Sequence, residues 1–175
     1  MVGAIPLADQ ITLYFDGSCQ DNRDVTSESS AGWGVVVVRG DSGLGKGDGE
    51  IIEEMSGTVV TSADADGFLG AEVGSNNTGE LSGMAHTLRW LLIEGSTDTV
   101  TIRGDSKYAL HIAKGEWRAK ANRELAARVQ ALWNEVTSLR TVKAEHIRAH
   151  RGHRWNERAD PVSYTHLTLP TIYSV

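Results

Sequence analysis

Apolar and polar residues alternate along residues 11–19, where Ile11, Leu13 and Phe15 form the apolar set. A period of two is typical of a strand with one face in a core. The alternation ends at Asp16, which leaves the apolar face and is followed by glycine and serine. A carboxylate at a strand end, beside a glycine that allows close backbone approach, suits a cation or a phosphate. An Asp-Gly pair on its own is more often a turn.

A β-branched run at residues 33–39, turn signals and helical periodicities predict the other elements of the fold. A glycine-rich run after the second strand indicates a turn or flexible hairpin tip, and Thr78 is a candidate cap for the first helix. The predicted segments are strands at residues 11–19, 33–39, 50–60, 100–103 and 142–149, and helices at residues 79–94, 106–114 and 122–136. This order predicts an α/β layer fold, a mixed sheet with an antiparallel hairpin edge and helices on its faces.

Composition narrows the class of protein. A chain of 175 residues suits one domain with a real core, and its single cysteine excludes a disulfide framework and a cysteine-rich zinc site. Neither a membrane-spanning segment nor a signal peptide is recognisable, so a cytoplasmic protein is expected. The net charge of −6 argues against an indiscriminate nucleic-acid binder. Basic residues nevertheless concentrate in the last third of the chain.

Acidic residues occupy equivalent places at the predicted end of the sheet. Asp16 and Asp105 each terminate a strand, and Glu80 opens a helix that could cross the same end, where ligands of α/β sheets bind. Asp160 is a fourth candidate because it closely follows the last strand. Convergence of these carboxylates favours a hard divalent cation, Mg²⁺ or Mn²⁺, over zinc. Taken singly, the aspartates are turn formers and Glu80 is an acid favoured by the helix dipole.

The chain resembles the type 1 ribonuclease H family, which cuts the RNA strand of RNA/DNA hybrids. The motifs YFDGSCQDN, GWGVVV, SNNTGEL, RGDSKYAL and HRGHRWNERAD follow the family order over residues 11–160. The resemblance implies a ribonuclease H-like fold with a mixed five-stranded sheet, three antiparallel strands and then parallel strands, and helices on both faces. It also implies an endonuclease that uses two Mg²⁺ ions, or Mn²⁺ as a substitute, binds RNA/DNA hybrid and leaves a 5′-phosphate. No membrane partner is expected, because no segment is apolar enough to span a membrane, and a monomer is predicted.

The resemblance also assigns roles to individual residues. The implied catalytic and metal-binding carboxylates are Asp16, Glu80, Asp105 and Asp160. His150 would assist proton transfer and product release, and Glu80 would also accept a hydrogen bond from a 2′-hydroxyl. The implied substrate contacts are Gly17, Ser18, Cys19, Asn22, Ser75, Asn76, Asn77, Ser106 and Asn122. Ser75 and Asn122 match a pocket for a DNA phosphate. Val73 stands where the family often has arginine, which predicts weaker binding of the DNA strand.

The end of the chain departs from the family pattern. The family continues past its last acid with Leu-Ala and a helix, whereas Asp160 is followed by Pro161 and by a threonine-rich, β-branched sequence. The predicted organisation is a leader at residues 1–10, a ribonuclease H domain at 11–160 without its C-terminal helix, and a non-native tail at 161–175. Two rival functions remain open, a catalytically inactive hybrid-binding module and a nuclease or integrase of the same superfamily that acts on DNA.

Overall fold

The computed structural model describes residues 5–19, 30–148 and 154–160. The predicted site residues Asn22 and His150, residues 1–4 of the leader and the tail at 161–175 lie outside the described residues. The strands are β1 (Ile11–Cys19), β2 (Ala31–Arg39), β3 (Glu50–Thr58), β4 (Val100–Gly104) and β5 (Val142–His146). The helices are α1 (Asn76–Glu94), α2 (Lys107–Ala113), α3 (Arg123–Leu139) and α4 (Arg154–Ala159).

The five strands form one mixed sheet in the order β3-β2-β1-β4-β5. The pairs β1–β2 and β2–β3 are antiparallel, whereas β1–β4 and β4–β5 are parallel. Helices cover both faces of this sheet, and the predicted fold class is therefore confirmed. No helix in the described part of the chain is long and apolar enough to cross a membrane.

The central strand β1 is buried on both faces, whereas its alternation predicted one face in the core. Leu13 and Phe15 are fully buried in the main core beneath α1. Tyr14 is also fully buried, but on the opposite face, in a cluster that includes Ala159 of α4. The difference arises because α4, which the sequence pattern does not predict, covers the second face.

The start of α1 also differs from the prediction. Ser75 is the N-cap and Thr78 lies in the first turn of the helix. The Ser75 Oγ accepts the Thr78 N–H at 3.1 Å, and the Thr78 Oγ1 accepts the Ser75 N–H at 2.8 Å. This reciprocal pair is a capping box, which satisfies two backbone donors and so places the helix start three residues earlier than residue 79.

Glycines bring the backbone of α1 directly onto β1. A Cβ atom on Gly17 would lie 2.2 Å from the Glu80 backbone nitrogen, and one on Gly83 would lie 3.0 Å from the Asp16 carbonyl oxygen. Any larger residue at Gly17 would force the two elements apart. This close approach brings the backbone of Glu80 next to the end of β1.

Candidate active site

The four acids singled out from the sequence lie at one end of the sheet. Asp16 is in β1 and Asp105 directly follows β4. These strands are parallel with Tyr14 opposite Arg103, so each acid comes two residues after a paired position. Glu80 comes from α1 above this strand end, and Asp160 directly follows α4.

Asp16 is the acid on which the other three carboxylates act electrostatically. Burial raises the pKa of Asp16 to about 8, and repulsion from Asp105, Asp160 and Glu80 acts in the same direction. The Gly17 N–H, which donates to the Asp16 carboxylate at 2.9 Å, opposes the rise in pKa. The four acids therefore form one interacting group in which charge is unfavourable without a cation.

Glu80 is the second acid with a shifted pKa. Its pKa rises to about 7, mainly through burial and with a contribution from Asp105. The Ser106 hydroxyl donates a hydrogen bond of 2.5 Å to Glu80 Oε2 and acts in the opposite direction. A half-buried carboxylate with one fixed hydrogen bond has a defined orientation, which leaves its other oxygen for a further partner.

Asn156 is a site residue that the sequence analysis did not select. It is 4 % exposed, and its Nδ2 donates to Asp105 Oδ2 at 3.3 Å. Among the residues that the structure describes, none is a hydrogen-bond partner of its buried Oδ1. The available signal was the spacing in the last motif, because Asn156 and Asp160 are four residues apart, a separation that places side chains on one side of a helix.

The other described candidates lie around the loop that leads into α1. Asn122 Oδ1 accepts the Glu72 N–H at 2.8 Å, and the Cys19 Sγ donates to the Gly74 carbonyl at 3.5 Å. Asn122 is buried and has a left-handed backbone at the start of α3. These contacts fix the path of residues 72–74 beside the end of β1.

The remaining described candidates are placed at the end of β1 for Gly17 and Ser18, at the cap and first turn of α1 for Ser75, Asn76 and Asn77, and at the cap of α2 for Ser106.

The donor chemistry of this site fits a hard divalent cation. All four acids offer carboxylate oxygens, and the buried Asn156 Oδ1 adds a neutral acceptor. Among the residues that the structure describes, no three His, Cys, Asp or Glu side chains are already arranged as a cage for an ion. A cation would therefore have to draw the carboxylates together while it relieves their repulsion.

Comparison with known proteins identifies relatives of this chain. The RNase H family model matches residues 8–166, which extends past Asp160 beyond the described residues. A Ribonuclease H of Syntrophomonas wolfei is 28 % identical over 166 residues, covering 88 % of this chain and 93 % of the relative.

Two solved structures share the fold. RNase H1 of the archaeon Halobacterium salinarum has a TM-score of 0.58 and 23 % identity, with 86 % of this chain and 91 % of that chain covered. LC11-RNase H1 in complex with an RNA/DNA hybrid has a TM-score of 0.57 and 22 % identity, with 85 % and 92 % covered.

Proposed function

Because the chain belongs to the RNase H family, we propose that it is an endonuclease that hydrolyses the RNA strand of RNA/DNA hybrids. The proposal includes two Mg²⁺ ions per site, with Mn²⁺ as a substitute, and products that carry a 5′-phosphate. The observation that carries it is the placement of four acids, Asp16, Glu80, Asp105 and Asp160, at one end of a sheet of the family's topology. The other three acids repel the Asp16 carboxylate there and so help to raise its pKa.

The four carboxylates would hold the ions, and hydrogen-bonded neighbours would orient them. Once held by these residues, the ions would supply activation of a water molecule and stabilisation of the leaving oxygen of the phosphodiester. Ser106 would fix the rotamer of Glu80, and Asn156 would do the same for Asp105. His150 remains the proposed group for proton transfer and product release.

Recognition of the hybrid is proposed to involve the start of α1 and the adjoining loop. Asn76 and Asn77 carry amides that suit 2′-hydroxyls and base edges in a minor groove. The backbone at Gly17, Ser18 and Cys19 borders the same region. Asn22 is a further proposed contact with the hybrid and lies outside the described residues. Ser75 and Asn122 would hold a phosphate of the DNA strand. A hybrid complex exists for LC11-RNase H1, whose fold this chain shares.

The domain limits and cellular setting are also proposals. Residues 11–160 would form the active domain, with 1–10 as leader and 161–175 as a non-native tail. A chain truncated after Asp160 should then cleave hybrid as the full chain does. A cytoplasmic location rests on the single cysteine, and a monomeric state is proposed as well.

Cleavage of a labelled hybrid tests the proposed function. The full chain should cut the RNA strand in Mg²⁺ and not in EDTA, and Asp16→Asn should reduce cutting to background. Asp66→Asn is the matched control, because Asp66 is an exposed loop acid outside the site. Binding of hybrid without cleavage would instead support the inactive module, and cutting of a DNA duplex would support a DNA-directed nuclease.

A further inference from the structure

The glycine-rich segment, residues 40–49 between β2 and β3, has a defined path. Its glycines at positions 40, 43, 45, 47 and 49 all have φ values between 77° and 90°. Residues with a side chain rarely adopt this conformation, so the glycines determine where the backbone runs. The sequence predicted a turn or flexible hairpin tip here, and the contacts below give the segment a structural role.

The glycine-rich segment is attached to β1, which contains Asp16, and to β4, which Asp105 directly follows. Asp41, at its start, is 4 % exposed, and its carboxylate accepts a hydrogen bond from the Tyr14 hydroxyl of β1. The same carboxylate pairs with Arg103 Nη1 of β4 at 3.0 Å. The segment is therefore fixed relative to both strands.

The other side of the glycine-rich segment contacts α4. The Arg154 N–H donates to the Gly45 carbonyl at 3.2 Å, which satisfies one of the free amides at the helix start. The Trp155 Nε1 donates to the Asp48 carbonyl at 2.9 Å. A Cβ atom on Gly47 would lie 2.8 Å from the Arg154 Cδ, so the absence of a side chain at Gly47 allows this contact.

The short helix α4 needs contacts such as those with the glycine-rich segment to be stable. α4 has six residues, and isolated helices shorter than about 12 residues are marginal in water. It carries Asn156, which contacts Asp105, and Asp160 follows its last residue directly. The position of both side chains therefore depends on where α4 docks.

We propose that the glycine-rich segment is a positioning element that holds α4 and thereby places Asp160 and Asn156 at the metal site. This inference rests on the proposed function, because it assigns the segment a part in metal binding. Residues of the segment touch neither metal nor substrate and act through α4. Loosening the contact should weaken metal binding and leave the affinity for hybrid unchanged.

The test compares Gly47→Ala with Gly67→Ala. Both glycines have positive φ, 77° and 80°, so both substitutions strain a loop backbone. Within 4 Å, a Cβ atom on Gly67 would meet a single atom of the described residues, Val60 Cγ2 at 3.9 Å. Gly67→Ala therefore controls for strain without a contact to α4. Trp155→Phe is a second variant that removes the indole donor and keeps an aromatic ring.

Two measurements decide the outcome. Hydrogen exchange in residues 154–160 reports docking, and Mn²⁺ titration by electron paramagnetic resonance reports the metal site without substrate. Gly47→Ala and Trp155→Phe should speed exchange, weaken Mn²⁺ binding by about 10–100-fold and raise the Mg²⁺ requirement for cleavage. The hybrid KM should stay unchanged, excess Mg²⁺ should restore kcat, and Gly67→Ala should match the wild type.

Equal exchange or equal Mn²⁺ affinity in Gly47→Ala and Gly67→Ala would overturn the positioning role. Failure of the proposed function has a different signature, because the wild type would then leave the hybrid uncut in saturating Mg²⁺. Exchange and Mn²⁺ binding could still distinguish the variants in that case. The two ideas can thus fail separately.

Discussion

Ser106 and Glu80 are joined by a hydrogen bond of 2.5 Å between the serine hydroxyl and the carboxylate. The same hydroxyl oxygen accepts the Ala109 N–H at 3.0 Å and so caps α2. One side chain therefore links the start of a helix to the orientation of a half-buried acid. The stability and the activity of the protein should both depend on the Ser106 hydroxyl, to different extents.

We expect Ser106→Ala to lower the free energy of unfolding by about 1 kcal/mol, because the cap is lost. Glu80 would also lose the hydrogen bond that lowers its pKa and fixes its orientation. Loss of such an orienting partner costs about 10–100-fold in metal affinity or activity. Urea unfolding and Mg²⁺-dependent hybrid cleavage measure the two effects.

Ser106→Thr is the control, since threonine keeps a hydroxyl at the same position and can cap the helix. It should retain most of the stability and cleavage. Full activity in a destabilised Ser106→Ala variant would show that the hydroxyl acts only as a cap.

The shifted acids predict how the metal-free protein responds to pH. The ordinary pKa values are 3.8 for Asp16 and 4.5 for Glu80, and in the folded protein they rise to about 8 and about 7. Between these limits the folded state binds more protons than the unfolded state, so its stability decreases as pH rises from about 4 to about 8. Thermal unfolding in EDTA across this range should show the decrease.

A bound cation removes the cost of ionising these acids, so Mg²⁺ should raise Tm more at pH 8 than at pH 5.5. Asp16→Asn, which cannot ionise, should show a shallower pH dependence and a smaller gain from Mg²⁺. A Tm in EDTA that does not differ between Asp16→Asn and the wild type at any pH would contradict the assignment.

The buried pair of Asp41 and Arg103 predicts a large loss of stability. The Asp41 side chain is fully buried, and the Arg103 side chain is 12 % exposed. Asp41→Ala would leave the guanidinium without its buried partner, which costs about 3–5 kcal/mol. Urea unfolding monitored by circular dichroism would measure the change.

Glu145 provides a matched control, because it pairs with the same guanidinium at 2.8 Å but is 48 % exposed. Glu145→Gln should cost only about 0–1 kcal/mol, as is usual for exposed pairs. Equal losses in the two variants would mean that burial does not decide the contribution of these ion pairs.

Local patterns predicted the sheet because β1 alternates, β2 contains a β-branched run and the order of elements restricts the topology. The burial of Tyr14 on the second face was not predictable in this way, since its cover comes from α4 at the other end of the chain. The start of α1 was ambiguous because Ser75 and Thr78 both suit a cap, and only the reciprocal hydrogen bonds decide between them.

At the candidate site, too, local sequence patterns predicted some residues and long-range packing determined others. Asp16, Glu80 and Asp105 were selected because each lies at the end of an element, a property that the sequence carries. The contact of Asn156 with Asp105 depends on the docking of α4, which is a long-range packing event. The glycines of residues 40–49 indicated positive φ values, but glycine alone does not distinguish a fixed loop from a flexible one.

Substitution of Val73 is expected to strengthen binding of the DNA strand. Val73 lies in the loop that Asn122 and Cys19 hold beside the end of β1. Val73→Arg should add one phosphate contact, so hybrid affinity should rise at low salt and the slope of log K against log salt should steepen by about 0.9. Fluorescence anisotropy in Ca²⁺ would measure binding without cleavage. Ile93→Arg adds the same charge at the far end of α1, where Ile93 is 82 % exposed, and an equal slope in both variants would show that the added charge acts non-specifically.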